Sequence, residues 1–198
     1  MSMTSTAVDS GALGGVDDRI RTLETEVAAL RERQQVVDGL YRLAEFRVLR
    51  DRQQIADALY RFAAGQDLRR HDLFLSAFTD DARLDFSEPA RRFGADIPVM
   101  VGRDAIGGIM TTLAPLDTTH TVTNTRTELQ GDSATLLALV EAQHVLRAAP
   151  ERRLLLKNIY EASLRRAGDS WMIHALVIRN VWHEGEPSVL FGDAGGGR

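Results

Sequence analysis

From Ile20 onward, apolar residues recur at alternating spacings of three and four, through Leu23, Val27, Leu30 and Val37, with polar Gln34 taking one place in the series. This spacing lays one stripe along a helix and repeats like the seam of a coiled coil. Glu24, Glu26, Arg31, Glu32 and Arg33 fall mostly off the stripe, and Asp17 or Asp18 can cap its start. An isolated helix of this length is marginal in water, so the stripe needs a partner, either another copy of the chain or the body of the protein. The pattern predicts an extended amphipathic helix over residues 17–45 that joins copies into a homo-oligomer, a dimer or trimer. Residues 1–16 and 193–198 are small, Gly-rich and aperiodic, and are expected to be disordered and flexible.

The rest, residues 46–192, reads as one domain. A second helix is expected from Asp51 to about Gln66, with Ile55, Leu59, Tyr60, Phe62 and Ala63 as its apolar face and Gly65 as its stop. A short helix over Leu73–Phe78 and a strand over Ala82–Phe86 follow. Residues 87–102 hold Pro89, Gly94 and Pro98 and read as a loop long enough to rim a pocket. A helix is expected over Arg103–Leu113, then strands over Thr118–Leu129, Ala134–Leu146, Leu154–Arg166 and Ser170–Trp182, joined by tight turns. Helices first and an antiparallel meander afterwards predict an α+β fold: a strongly curved antiparallel sheet covered by helices on one face. Such a sheet encloses a cone-shaped pocket, the usual seat of a ligand.

Composition narrows the chemistry. The 198 residues include no cysteine, which removes disulfides, thiolate metal sites and thiol nucleophiles. The formal net charge of -4 argues against a nucleic-acid partner. Lys157 is the only lysine, arginine supplying the remaining positive charge. The opening residues lack a signal-peptide pattern and no run reaches membrane-spanning length, so a cytoplasmic protein with no membrane partner is expected.

The segment Tyr60–Phe86, with Asp67 near the end of a helix and Asp85 closing a strand, resembles the opening of SnoaL-like (nuclear transport factor 2-like) proteins. His120-Thr-Val-Thr-Asn124 is similar to that family's His-x-Val-Thr-Asn strand, Glu141–His144 to the next strand, and Ala162–Trp171, with its Gly-Asp-Ser-Trp turn, to its closing Gly-x-Trp segment. The superfamily includes scytalone dehydratase, ketosteroid isomerase, polyketide cyclases, dehydrochlorinases, oxygenase β subunits and catalytically silent binders, and fold alone does not choose among them. The motif is nearest to scytalone dehydratase-like enzymes. Asp67 falls on the helix aspartate, His120 on its paired histidine and His144 on a second catalytic histidine. Gln66 and Phe86 stand where that family has two water-orienting tyrosines, and Tyr160 stands where it has an asparagine.

The residues themselves support the same candidates. A carboxylate at a helix C-terminus opposes the helix dipole, so Asp67 holds an unfavourable place that function would explain. His120 shares a strand face with Val122 and Asn124, and an imidazole titrates near neutrality. His144 shares a face with Val140, Ala142 and Leu146, where a structural histidine is an equal reading. Asp67, His120 and His144 could also form a two-histidine, one-carboxylate metal site, but no close-spaced ligand pair supports it, so neither metal nor cofactor is expected. Tyr60, Phe86, Asn158 and Tyr160 are candidate substrate contacts, with Phe62, Leu156 and Trp171 as further pocket-wall residues. His71, His174 and His183 are assigned no chemistry.

The resemblance and these residues imply a cofactor-independent dehydratase, isomerase or cyclase. Its substrate would be a small apolar cyclic compound, polyketide-, terpenoid- or steroid-like. His120 would be the base, Asp67 its orienting partner, and His144 with Tyr160 or Asn158 the group that stabilises the enolate or protonates the leaving group. The alternatives are a non-catalytic small-molecule-binding or assembly protein of the same fold, and an oxygenase β-subunit-like partner. Polar Asp67, His120 and His144 converging on the deepest cavity would favour the enzyme.

Overall fold

The computed structural model describes residues 10–192. The expectations for residues 1–9 and 193–198 lie outside the described residues. The chain divides into two compact units at Leu49/Arg50.

The first unit is the amino-terminal part of helix α1 (Ser10–Asp67). Two helices separated by a break were expected; α1 is instead one helix of 58 residues. Residues 41–50 hold neither Gly nor Pro, and extending a nucleated helix costs far less than starting one. Residues 10–16, expected to be irregular, also belong to α1. The apolar stripe from Ile20 to Val37 is exposed.

The second unit carries the sheet. Within it, Ile55, Leu59, Phe62 and Ala63 of α1 are buried. After α1 come α2 (His71–Ser76), β1 (Phe78–Asp85), α3 (Ser87–Arg92), β2 (Met100–Val101), α4 (Arg103–Gly107) and α5 (Ile109–Thr112). Four long strands follow, β3 (Leu116–Gln130), β4 (Ser133–Leu146), β5 (Arg153–Ala167) and β6 (Ser170–Gly185), then α6 (Ser188–Phe191). The residues expected to be loop thus hold α3 and β2, Pro89 being tolerated in the first turn of α3, where helical N–H groups have no partner anyway. The single helix expected over Arg103–Leu113 divides at Gly108.

The six-stranded sheet runs β2-β1-β6-β5-β4-β3. Its long strands form the expected antiparallel meander, while β1 joins its free edge parallel to β6. Strict alternation along β4 buries Ala134, Leu136, Ala138, Val140, Ala142 and His144 on one face. In β3 the ladder shifts register between Thr123 and Arg126, where Asn124 takes a φ of 52°. A bulge there bends the strand and ends the alternation that would have carried Asn124 onto the face of His120. Asparagine is one of the few side chains that accept this left-handed backbone.

Phe62, Phe74, Phe78 and Tyr160 form an aromatic cluster under the helices, with ring centroids 5.4–6.1 Å apart. Gly65 does not stop α1 but lets α2 approach it: a Cβ there would lie 2.5 Å from the backbone N and Cα of Phe74. Gly65→Ala is therefore expected to destabilise the fold by about 1–3 kcal/mol, since the overpacking cost exceeds the roughly 1 kcal/mol that alanine adds to a helix. Denaturant unfolding of the two chains would measure it.

Candidate active site

Asp67 is the last residue of α1, and its carboxylate reaches across to β3. Its Oδ2 accepts the His120 backbone N–H at 2.8 Å, and its Oδ1 accepts the Thr118 hydroxyl at 2.9 Å. The same Oδ1 lies 2.7 Å from His120 Nδ1. Burial raises the carboxyl's pKa, but the hydrogen bonds from the His120 ring, its charge, the His120 amide and Thr118 together outweigh burial and hold it below the usual value. An ionised carboxylate accepts only, so the ring donates from Nδ1 and Nε2 is the basic nitrogen. This assignment follows from the partner of Nδ1. The His120 side chain is 3% exposed and that of Asp67 21%.

His120 lines a cavity of about 220 Å3 in the second unit. Asp67 sits behind it and is not part of the wall. His144, paired in the ladder opposite Thr118 and Leu154, lines the same cavity, its ring centroid 6.0 Å from that of His120 and nearly perpendicular to it. Burial first, and then the neighbouring His120 charge, push its pKa down to about 4, so His144 is neutral at neutral pH. Its Nδ1 is buried without a protein partner.

Asn158 and Tyr160 point into the cavity from β5. Asn180 donates from Nδ2 to the Asn158 amide oxygen at 2.9 Å, fixing the amide. Burial raises the Tyr160 pKa, with the Asn158 contact partly opposing it, so the phenol keeps its proton. Phe86 lines the cavity and stacks on Phe191 at 5.8 Å.

Of the remaining sequence candidates, Tyr60, Trp171 and Asp85 fall elsewhere. Tyr60 is 44% exposed and outside the cavity wall. It sits about 100° around the helix from Leu59, off the buried stripe. Trp171 is fully buried, but its Nε1 donates to Asp51 and it belongs to the core. Asp85 accepts the Ser87 backbone N–H at the start of α3. Phe62 and Leu156 are in the wall. Among the described residues, no group of three or more His, Asp or Glu side chains is arranged to hold a metal ion.

Other wall residues escaped the sequence reading. Gln66, buried one turn after Phe62 and donating to its carbonyl, was placed by the resemblance only as the replacement of a tyrosine and is also in the wall. Met100, Ile109 and Leu113 come from the segment between β1 and β3, and Leu190 and Phe191 from α6. The apolar Val189-Leu190-Phe191 triplet just after Pro187, in an otherwise polar tail, was the available signal.

A family model described as the SnoaL-like domain matches residues 47–177. The chain belongs to the SnoaL-like family. No curated protein sequence matches it significantly. Among solved structures, the SnoaL-like unit is similar to the Kfla4162 protein of Kribbella flavida, with 26% identity and a TM-score of 0.60 over 68% of this chain and 93% of that one. It is also similar to a candidate scytalone dehydratase from Novosphingobium aromaticivorans, with 14% identity and a TM-score of 0.63 over 72% and 91% of the two chains. The hexachlorocyclohexane dehydrochlorinase LinA-type3 of Novosphingobium barchaimii shares 19% identity at a TM-score of 0.61, over 72% and 94%. At such identities the last two likenesses concern the fold. No described helix is long and apolar enough to cross a membrane.

Proposed function

We propose that this SnoaL-like protein is a cofactor-independent lyase or isomerase. It would abstract a proton next to a carbonyl of a small cyclic substrate. The observation that carries this reading is the Asp67–His120 pair at 2.7 Å, with its free Nε2 on the wall of a mostly apolar cavity. A buried carboxylate that stays ionised stabilises the imidazolium formed when Nε2 takes the proton. The volume of about 220 Å3 lies below the range of drug-sized pockets and suits a compact ring compound.

The protonation states assign the other roles. His144 stays neutral, so it is no acid at neutral pH, and as a neutral imidazole its ring keeps one N–H to donate. Tyr160 holds its proton too firmly to give it up, and its hydroxyl is likewise a donor. These two groups stabilise the enolate oxygen. The one acid produced in the cycle is the His120 imidazolium. It returns its proton either to a leaving hydroxyl, which departs as water while the ring-carbon electrons form the double bond, or to another carbon. The first outcome is dehydration, the second isomerisation.

The direct test is exchange. A panel of small cyclic ketones and β-hydroxy ketones in D2O, followed by NMR, should lose α-protons faster with the wild type than with His120→Ala. Activity is expected to persist in excess chelator. Ketones that bind in the cavity without exchanging would instead support the small-molecule-binding reading.

A further inference from the structure

The helical first unit carries a second message, in its charges. With Ile20 at heptad position a, positions a are Ile20, Val27 and Gln34, and positions d are Val16, Leu23, Leu30 and Val37. The apolar members are all exposed. β-branched residues at a with leucine at d favour two parallel strands. A shallow hollow on this helix is lined by Ile20, Leu23, Glu24, Val27, Ala28 and Arg31, and so includes an a-d-e-a set. In a coiled coil such a set of four receives one knob, here Leu23 of a second copy.

The flanking positions decide the partner. Positions g are Arg19, Glu26 and Arg33, and positions e of the following heptads are Glu24, Arg31 and Asp38. In a parallel, in-register pair, each g residue faces the e residue five places on in the other copy. Arg19 then meets Glu24, Glu26 meets Arg31 and Arg33 meets Asp38, so all three pairs are of opposite sign, and each occurs twice. Gln34, which within one helix donates to Asp38 at 2.8 Å, would face its own counterpart across the seam. A polar residue at one a position penalises any register that sets it against leucine or valine.

We propose that residues 16–38 form a parallel, in-register, two-stranded coiled coil with a second copy of this chain. It is an interaction surface separate from the cavity.

The chain has no cysteine, which makes the test clean. Val16→Cys puts a single thiol at a d position, and in the full-length chain under mild oxidation it should cross-link nearly completely into dimers. Adding Arg19→Glu and Arg33→Glu sets like charges opposite Glu24 and Asp38, and should slow cross-linking by about tenfold or more. Adding Glu24→Arg and Asp38→Arg to a second Val16→Cys chain should slow it equally. Mixing the two variants should restore the original rate, because every reversed pair again has opposite signs. Light scattering should report a dimer for the wild type. A monomer or trimer mass at micromolar concentration, failure of Val16→Cys to cross-link, or charge variants that cross-link as fast as the parent would each overturn the proposal.

Discussion

Asp67→Asn and His120→Ala are each expected to lower the rate of proton abstraction by about two to four orders of magnitude, the usual worth of a positioned general base. The introduced amide would keep the shape of the Asp67 side chain but not its charge. The imidazolium would lose its counter-charge, and an amide NH2 turned toward Nδ1 would favour the tautomer with its proton on Nε2, the wrong nitrogen for a base. The double variant should lose little more than either single one, since the two groups act as one unit. Thr118→Val should cost less, because it removes only one of the hydrogen bonds that keep Asp67 ionised. His144→Ala should be milder than His120→Ala, as a hydrogen-bond donor is lost rather than the base. Single-turnover exchange in D2O would rank all five. Equal rates for wild type and His120→Ala would refute the mechanism.

The largest expected effect on stability lies away from the cavity. Asp51, in the part of α1 belonging to the second unit, receives two hydrogen bonds from Arg166, at 2.9 and 2.7 Å, and one from Trp171 Nε1 at 3.2 Å. The Arg166 guanidinium also lies 4.6 Å from the centre of the Trp171 ring. The Arg166 hydrogen bonds, with smaller help from Trp171 and against the cost of burial, hold Asp51 at a pKa of about 2. Arg166→Met would leave that carboxylate buried without its counter-charge, held only by the Trp171 Nε1–H. The expected loss is about 2–4 kcal/mol, below the figure for a fully buried pair because Arg166 keeps part of its surface in water. Asp51→Asn with Arg166→Met should cost less than Arg166→Met alone, since no orphan charge remains. The pH dependence has a definite sign. The folded pKa is depressed, so this stabilisation is complete above the ordinary carboxylate value of 3.8 and is lost as pH falls toward 2. Thermal unfolding between pH 7 and pH 2.5 should fall less steeply for Asp51→Asn than for the wild type.

The sequence by itself determined the elements whose signal is local. Alternation along residues 134–146 predicted β4 and the inward side of His144, and the three-four spacing of Ile55, Leu59, Phe62 and Ala63 predicted the buried face of α1. These patterns follow from which residues prefer to leave water, and they need no knowledge of distant partners. The resemblance singled out Asp67, His120 and His144, and the structure places the two histidines on one cavity wall with Asp67 behind His120.

Only the tertiary structure decided what depends on chain closure. Asp67 and His120 are 53 residues apart, and their contact exists because the end of α1 lands on the start of β3. The parallel pairing of β1 with β6 is likewise invisible in either strand alone. Tyr60 passed the test of hydrophobicity but sits off the buried stripe, while Leu190 and Phe191, in a segment with no periodicity, complete the cavity wall. The amide of Asn158 is held by Asn180, 22 residues on in sequence and a neighbour only across the β5–β6 ladder. Periodicity reports the side of an element that faces inward. What waits on that side, and at what distance, is set by loop closure and long-range packing, which no local pattern encodes.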